Sequence, residues 1–149
     1  MKTIAKKTIM ALVCLLTVAT TALASDDKPV TIKQMPNAAQ QVLNQYFGNR
    51  KVALSKMDAG MFDKAYDVIF TDGDKIEFDR NGRWTEISSK RKGVPAQLVP
   101  QPIRHYVQSN YSKERITGIE RSKKGYSVDL SNGLEIKFNK KFQVVGIDD

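Results

Sequence analysis

Apolar and polar residues alternate with period two through Tyr126–Phe138, pause at Ser131-Asn132-Gly133, and then alternate again. The same pattern lies 60 positions earlier, in Tyr66–Phe78 around Thr71-Asp72-Gly73, with Tyr, Val, Gly, Ile and Phe recurring at identical spacing. Alternation broken by a turn predicts a β-hairpin. A three-residue loop ending in a left-handed glycine sets the register. Tyr66 then faces Phe78 and Val68 faces Ile76, while Tyr126 faces Phe138 and Val128 faces Ile136. In this register the large apolar side chains of the second hairpin share one face, and Ser127, Asp129, Glu135 and Lys137 share the other. One dry face and one wet face predict an antiparallel sheet covered on one side only.

Upstream of each hairpin the period lengthens to that of a helix. Ala39, Val42, Leu43, Tyr46 and Phe47 fall on one helical face behind Pro36, with Gly48 as the stop. Pro100, Ile103, Tyr106, Val107 and Tyr111 match Pro36, Ala39, Val42, Leu43 and Phe47 at an offset of 64. Val52 and Leu54 start a strand that ends at Asp58-Ala59-Gly60, and Ile116 matches Val52. Asn81-Gly82 leads into a strand over Arg83–Ile87, which Phe142–Ile147 matches in the second half. Ser25–Gln34 is polar and reads as a loose or extended lead-in. Each half therefore reads helix, strand, hairpin, strand. The expected class is α+β: two tandem helix-plus-antiparallel-sheet repeats, 25–92 and 93–149, sharing one sheet of about eight strands with the helices on one face. A single unit of roughly 60 residues without a disulfide is marginal alone, which favours the continuous sheet.

The first residues stand apart from this pattern. Lys2, Lys6 and Lys7 precede a short apolar run, Ile9–Val18, and Ala22-Leu23-Ala24 has small residues where a signal peptidase cuts. This predicts a signal peptide over 1–24, a mature start at Ser25, and a periplasmic or secreted location. The apolar run falls short of a membrane span, which needs about 20 residues, so no membrane insertion is expected after cleavage. Cys14, the one cysteine, leaves with the leader. The mature chain then has neither disulfide nor thiol nucleophile.

The chain has a formal net charge of +8, and its acidic and basic residues interleave. Lys90-Arg91-Lys92 is a basic cluster at the junction of the halves and reads as a solvated linker, so no nucleic-acid partner is expected.

Candidate chemistry is sparse. His105 is the single histidine and is expected on a helix surface, without the partners that a catalytic pair or zinc site requires. Asp72, Asp74 and Asp79 lack the spacing of a calcium loop, and turn formation explains Asp72 better. No metal site, cofactor or catalytic constellation is expected. Glu77 and Glu86 could face each other on the wet side, as paired carboxylates do in glycosidases, although Lys75 and Arg83 flank them and no pocket is evident. Trp84 has two placements. A two-residue turn at Asn81-Gly82 puts it on the wet face beside Glu77 and Glu86; a three-residue loop puts it opposite Phe78 in the core and turns Ile87 outward.

The duplicated Tyr-x-Val-x-(Leu/Phe)-x-(Asp/Asn)-Gly-x-x-Ile-x-Phe pattern, each copy behind a helix and strand, resembles the PepSY-like, β-lactamase-inhibitor-like family of secreted bacterial proteins. The connector from Val94-Pro95 to Tyr106-Val107 and the Gly82-x-Trp84 step belong to the same resemblance. It covers nearly all of the mature chain and rests on core and turn residues. It implies helices packed on one face of a tandem-repeat sheet, and an exposed sheet face able to bind another protein, with a peptidase or other envelope protein as target. The inhibitor relatives carry disulfides and this mature chain has no cysteine, so no inhibitory loop residue carries over by position. The expectation is a non-enzymatic binding protein whose open face presents Trp84, Lys75, Glu77, Glu86 and Lys137, with Trp84 as the anchor. A carboxylate hydrolase and a structural or adhesive envelope module are its rivals. The sequence leaves the oligomeric state open.

Overall fold

In a computed structural model, which describes residues 27–60 and 63–149, nine antiparallel strands form one open sheet in chain order. They are β1 Asp27–Pro29, β2 Val52–Ala59, β3 Lys64–Phe70, β4 Lys75–Asp79, β5 Trp84–Ser88, β6 Ile116–Arg121, β7 Gly125–Leu130, β8 Glu135–Asn139 and β9 Val144–Asp148. Two helices, α1 Asn37–Phe47 and α2 Gln101–Asn110, precede β2 and β6, each after a short 3-10 turn. The expected leader, Cys14 and the start at Ser25 lie outside the described residues.

The hairpin registers follow the alternation. Val68 faces Ile76 and Tyr66 faces Phe78; Val128 faces Ile136 and Tyr126 faces Phe138. Gly73 and Gly133 take φ of 88° and 94° in the two loops, a conformation that costs glycine little.

Val68, Ile76, Ile87, Val128 and Ile136 are fully buried on one face of the sheet. Both helices pack there. The Phe47 ring of α1 stacks on Phe70 of β3 at 5.3 Å, and Tyr106 of α2 meets Phe138 of β8 edge-on at 5.5 Å. Ala39, Leu43, Ile103 and Val107 are the buried stripes of the helices.

Two expectations need correction. Of the two forms expected for the polar lead-in, Asp27–Pro29 takes the extended one and pairs with β2, so the sheet has nine strands rather than about eight. The Val30 N–H donates to the Ser55 carbonyl at 3.0 Å, and Lys56 Nζ donates to Asp27 at 2.7 Å. The second correction concerns the turn into β5. Asp79 Oδ1 accepts from the Asn81 and Arg83 amides, and Gly82 sits at φ 80°, as in a three-residue loop. Trp84 therefore faces Phe78, yet Ile87 still faces Ile76, because a β-bulge lies between the two pairs. The bulge takes up one residue and turns Glu86 back to the wet side.

Candidate functional site

The face opposite the helices is open, and its centre is acidic. Strand pairing sets Glu77 of β4 opposite Glu86 of β5, and Glu86 opposite Glu120 of β6. Asp129 of β7 stands opposite Glu135 of β8. Like charges directly opposite one another on a sheet repel. The repulsion is only partly offset. Lys75 donates to Glu77 and lies 3.9 Å from Asp67, and Lys137 donates to Asp148. The Ser127 hydroxyl donates to Glu135. Among the described residues, Glu86, Glu120 and Asp129 stand in no ion pair.

These carboxylates border a depression of about 220 Å³ lined by Glu86, Ser88, Glu120, Ser127, Asp129 and Glu135. Gly118 makes room for the Asp129 side chain: a β-carbon there would come within 2.5 Å of Asp129 Oδ2. Burial pushes the Glu86 carboxyl above the usual carboxylate range; the charges of Glu77, Glu120 and Asp129 push it the same way and Lys75 opposes them. Asp129 is open to solvent on one side. Desolvation of its other side raises its pKa, Glu135 adds to the rise, and Lys90 opposes it.

The structure brings Lys75, Glu77, Glu86 and Lys137 onto this face, as expected from the alternation. Trp84 is the exception. It is 8% exposed on the helix-covered side, with the Arg121 guanidinium 4.4 Å above its ring and donating to its carbonyl. It anchors the core and is not part of the open face. Glu120 escaped the sequence reading, because β6, Ile-Thr-Gly-Ile-Glu-Arg, has no clean alternation to mark its outward residues.

The residues weighed for other chemistry have structural roles. His105 is exposed on α2. Asp72 accepts the Asp74 amide inside the first hairpin loop, and Asp79 closes the next turn. Asp74 is 4% exposed, where it accepts from Arg50 and, at 2.6 Å, from the Ser89 hydroxyl. Arg50 also lies over the Phe47 and Phe70 rings. Among the described residues no three His, Cys, Asp or Glu side chains gather in a way that could hold a metal ion.

A family model described as PepSY-like and, provisionally, β-lactamase-inhibitor-like matches residues 64–145. Three solved structures from Bacteroides are similar over nearly their whole length. One, provisionally described as a periplasmic protein of the DUF2874 family from Bacteroides vulgatus, is 49% identical, with a TM-score of 0.82, covering 85% of this chain and 99% of that one. Another, from Bacteroides thetaiotaomicron, is provisionally described as a calcium-regulated periplasmic protein; it is 47% identical, with a TM-score of 0.82 and the same coverage. A third, a provisionally periplasmic protein of unknown function from Bacteroides vulgatus, is 35% identical, with a TM-score of 0.77, covering 83% of this chain and 99% of that one. No curated protein matches the chain significantly. The expected periplasmic location agrees with these relatives, and no helix among the described residues is long and apolar enough to cross a membrane.

Proposed function

The chain belongs to the PepSY-like, β-lactamase-inhibitor-like family, and from that footing we propose that it is an exported, non-enzymatic binding protein whose open sheet face docks a basic segment of another envelope or secreted protein. The observation that carries this reading is the row Glu77–Glu86–Glu120 with Asp129 and Glu135 beside it. A fold gains nothing from lining up like charges, whereas a cationic partner would relieve the repulsion, and charges of opposite sign steer association. We read the two halves, 25–92 and 93–149, as tandem copies that together build a face broad enough for such a partner. A peptidase is among the targets the family suggests.

Affinity capture from an envelope extract tests this, with the native protein and a Glu86→Lys, Glu120→Lys variant as parallel baits. A single stoichiometric protein held by the native bait and lost from the variant supports the reading. Retention that ignores the reversal, or turnover of a glycan or peptide library by Glu77 and Glu86, overturns it in favour of the structural or hydrolytic alternatives. Calcium belongs in the same experiment, because one relative is described as calcium-regulated. With no carboxylate cluster able to hold the ion among the described residues, added calcium should weaken capture only as far as any salt of the same ionic strength screens the acidic face.

A further inference from the structure

We propose that two copies of this chain join edge to edge through β9, antiparallel and related by a two-fold axis perpendicular to the sheet. The proposal rests on reading the halves as tandem copies. In the first half the outer edge of β5 is covered by β6: Glu86 faces Glu120, Ile87 faces Ile119, Ser88 faces Gly118, and the Ser89 N–H donates to the Thr117 carbonyl at 2.8 Å. Ile87 is fully buried as a result. In the second half β9 stands where β5 stands in the first, with Ile147 opposite Ile136 as Ile87 is opposite Ile76. Among the described residues no strand lies beyond β9, and Ile147 is 46% exposed and Val145 65% exposed.

The two edges of the sheet are treated differently. β1 is three residues long and carries Lys28 and Pro29, features that blunt an edge against pairing. β9 runs Val-Val-Gly-Ile-Asp with neither a lysine nor a proline in it.

The occupant of the β9 edge follows by elimination. A second copy offers two strands in the position of β6, namely β6 itself and β2. Both have each side taken, β2 by β1 and β3, and β6 by β5 and β7. The outer edge of β1 is blunted. The remaining edge is the partner's own β9, and pairing like with like closes the assembly as a dimer instead of a fibre. Charge complementarity favours the same arrangement. Lys140 and Lys141 precede β9 and neither is in an ion pair among the described residues; at the other end Asp148 already pairs with Lys137 of its own chain, which leaves Asp149, just after the strand, as the acidic group for the partner copy. Antiparallel pairing lays the basic end of one strand along the acidic end of the other and brings Val145 and Ile147 of the two copies together near the axis. The perpendicular axis keeps the helices of both copies on one side and joins their open faces into a single surface.

Sedimentation velocity on the purified exported protein, with no partner present, tests this from low to high micromolar concentration. The expected result is a reversible dimer. Val145→Lys, at a site already open to solvent, weakens self-association about tenfold or more with an unchanged circular dichroism spectrum. Lys141→Glu and Asp149→Lys each weaken it alone, and mixing the two variants restores a mixed dimer. A native protein that stays monomeric throughout, a dimer indifferent to Val145→Lys, or a mixture that stays monomeric overturns the proposal. Because no docking partner is in the cell, such a failure leaves the open-face reading standing, and loss of capture in an intact dimer is a separate result.

Discussion

Replacing Trp84 with alanine tests the bulge, and with it the composition of the open face. Trp84 is 8% exposed, lies opposite Phe78 and carries Arg121 at 4.4 Å above its ring. Truncating a buried tryptophan costs about 3–5 kcal/mol through lost burial and the cavity left behind. The cation–π contact adds about 0.5–2 kcal/mol, depending on how far it is desolvated. A loss of about 3.5–7 kcal/mol is thus expected, a large part of the roughly 5–15 kcal/mol that stabilises an ordinary domain. Urea unfolding followed by far-UV circular dichroism measures it, since the substitution removes the one indole. Arg121→Ala and the double variant complete a cycle with an expected coupling of about 0.5–2 kcal/mol. The native protein should emit blue-shifted fluorescence that iodide leaves unquenched. A loss below about 0.5 kcal/mol, in the range of surface substitutions, with red-shifted and quenchable emission, would place Trp84 on the open face and remove the bulge.

Ile136 is fully buried opposite Val128, so Ile136→Ala should lower unfolding stability by about 2–5 kcal/mol, and a near-neutral result would refute the register. Asp74→Ala leaves Arg50 and the Ser89 hydroxyl without their buried acceptor; thermal unfolding should show a loss of about 3–5 kcal/mol, and an unchanged transition would make that network incidental. The carboxyls of Glu86 and Asp129 both titrate above the usual range in the folded protein. Across the window just above the ordinary carboxylate pKa, the folded state therefore holds more protons than the unfolded chain, and their contribution to stability declines as pH rises. Glu86→Gln should flatten that slope and raise stability at neutral pH by roughly 0.2–1 kcal/mol; a steeper slope or a loss would contradict the repulsion.

What could be read from the sequence follows the range of the interactions involved. Hairpin registers were legible because turn and alternation are local: Gly73 and Gly133 set them, and Val68–Ile76 and Val128–Ile136 obey. The position of Trp84 was not, because the bulge between β4 and β5 lets both Trp84 and Ile87 face inward, and the Arg121 guanidinium that covers Trp84 comes from β6, 37 residues on, which no pattern within the turn records. Strand β1 was not predicted for a similar reason: Asp27-Lys28-Pro29 is too short to carry an alternation, and only β2, almost thirty residues downstream, gives it a partner. Asp74 entered the sequence reading only as part of a calcium loop that its spacing rules out, while its burial depends on Arg50, 24 residues away. The acidic centre was half visible. Glu77 and Glu86 lie within one hairpin, but Glu120 joins them only because β5 and β6 pair across the junction of the halves.

The central claim, that the acidic open face docks a basic partner, is tested most directly by titrating the captured partner against the native protein and against Glu86→Lys over a range of salt. Docking through Glu77, Glu86 and Glu120 predicts that native affinity falls steeply as salt rises, and that the reversal costs about 1.4 kcal/mol or more, a tenfold weakening. An affinity unchanged by both salt and the reversal would contradict it.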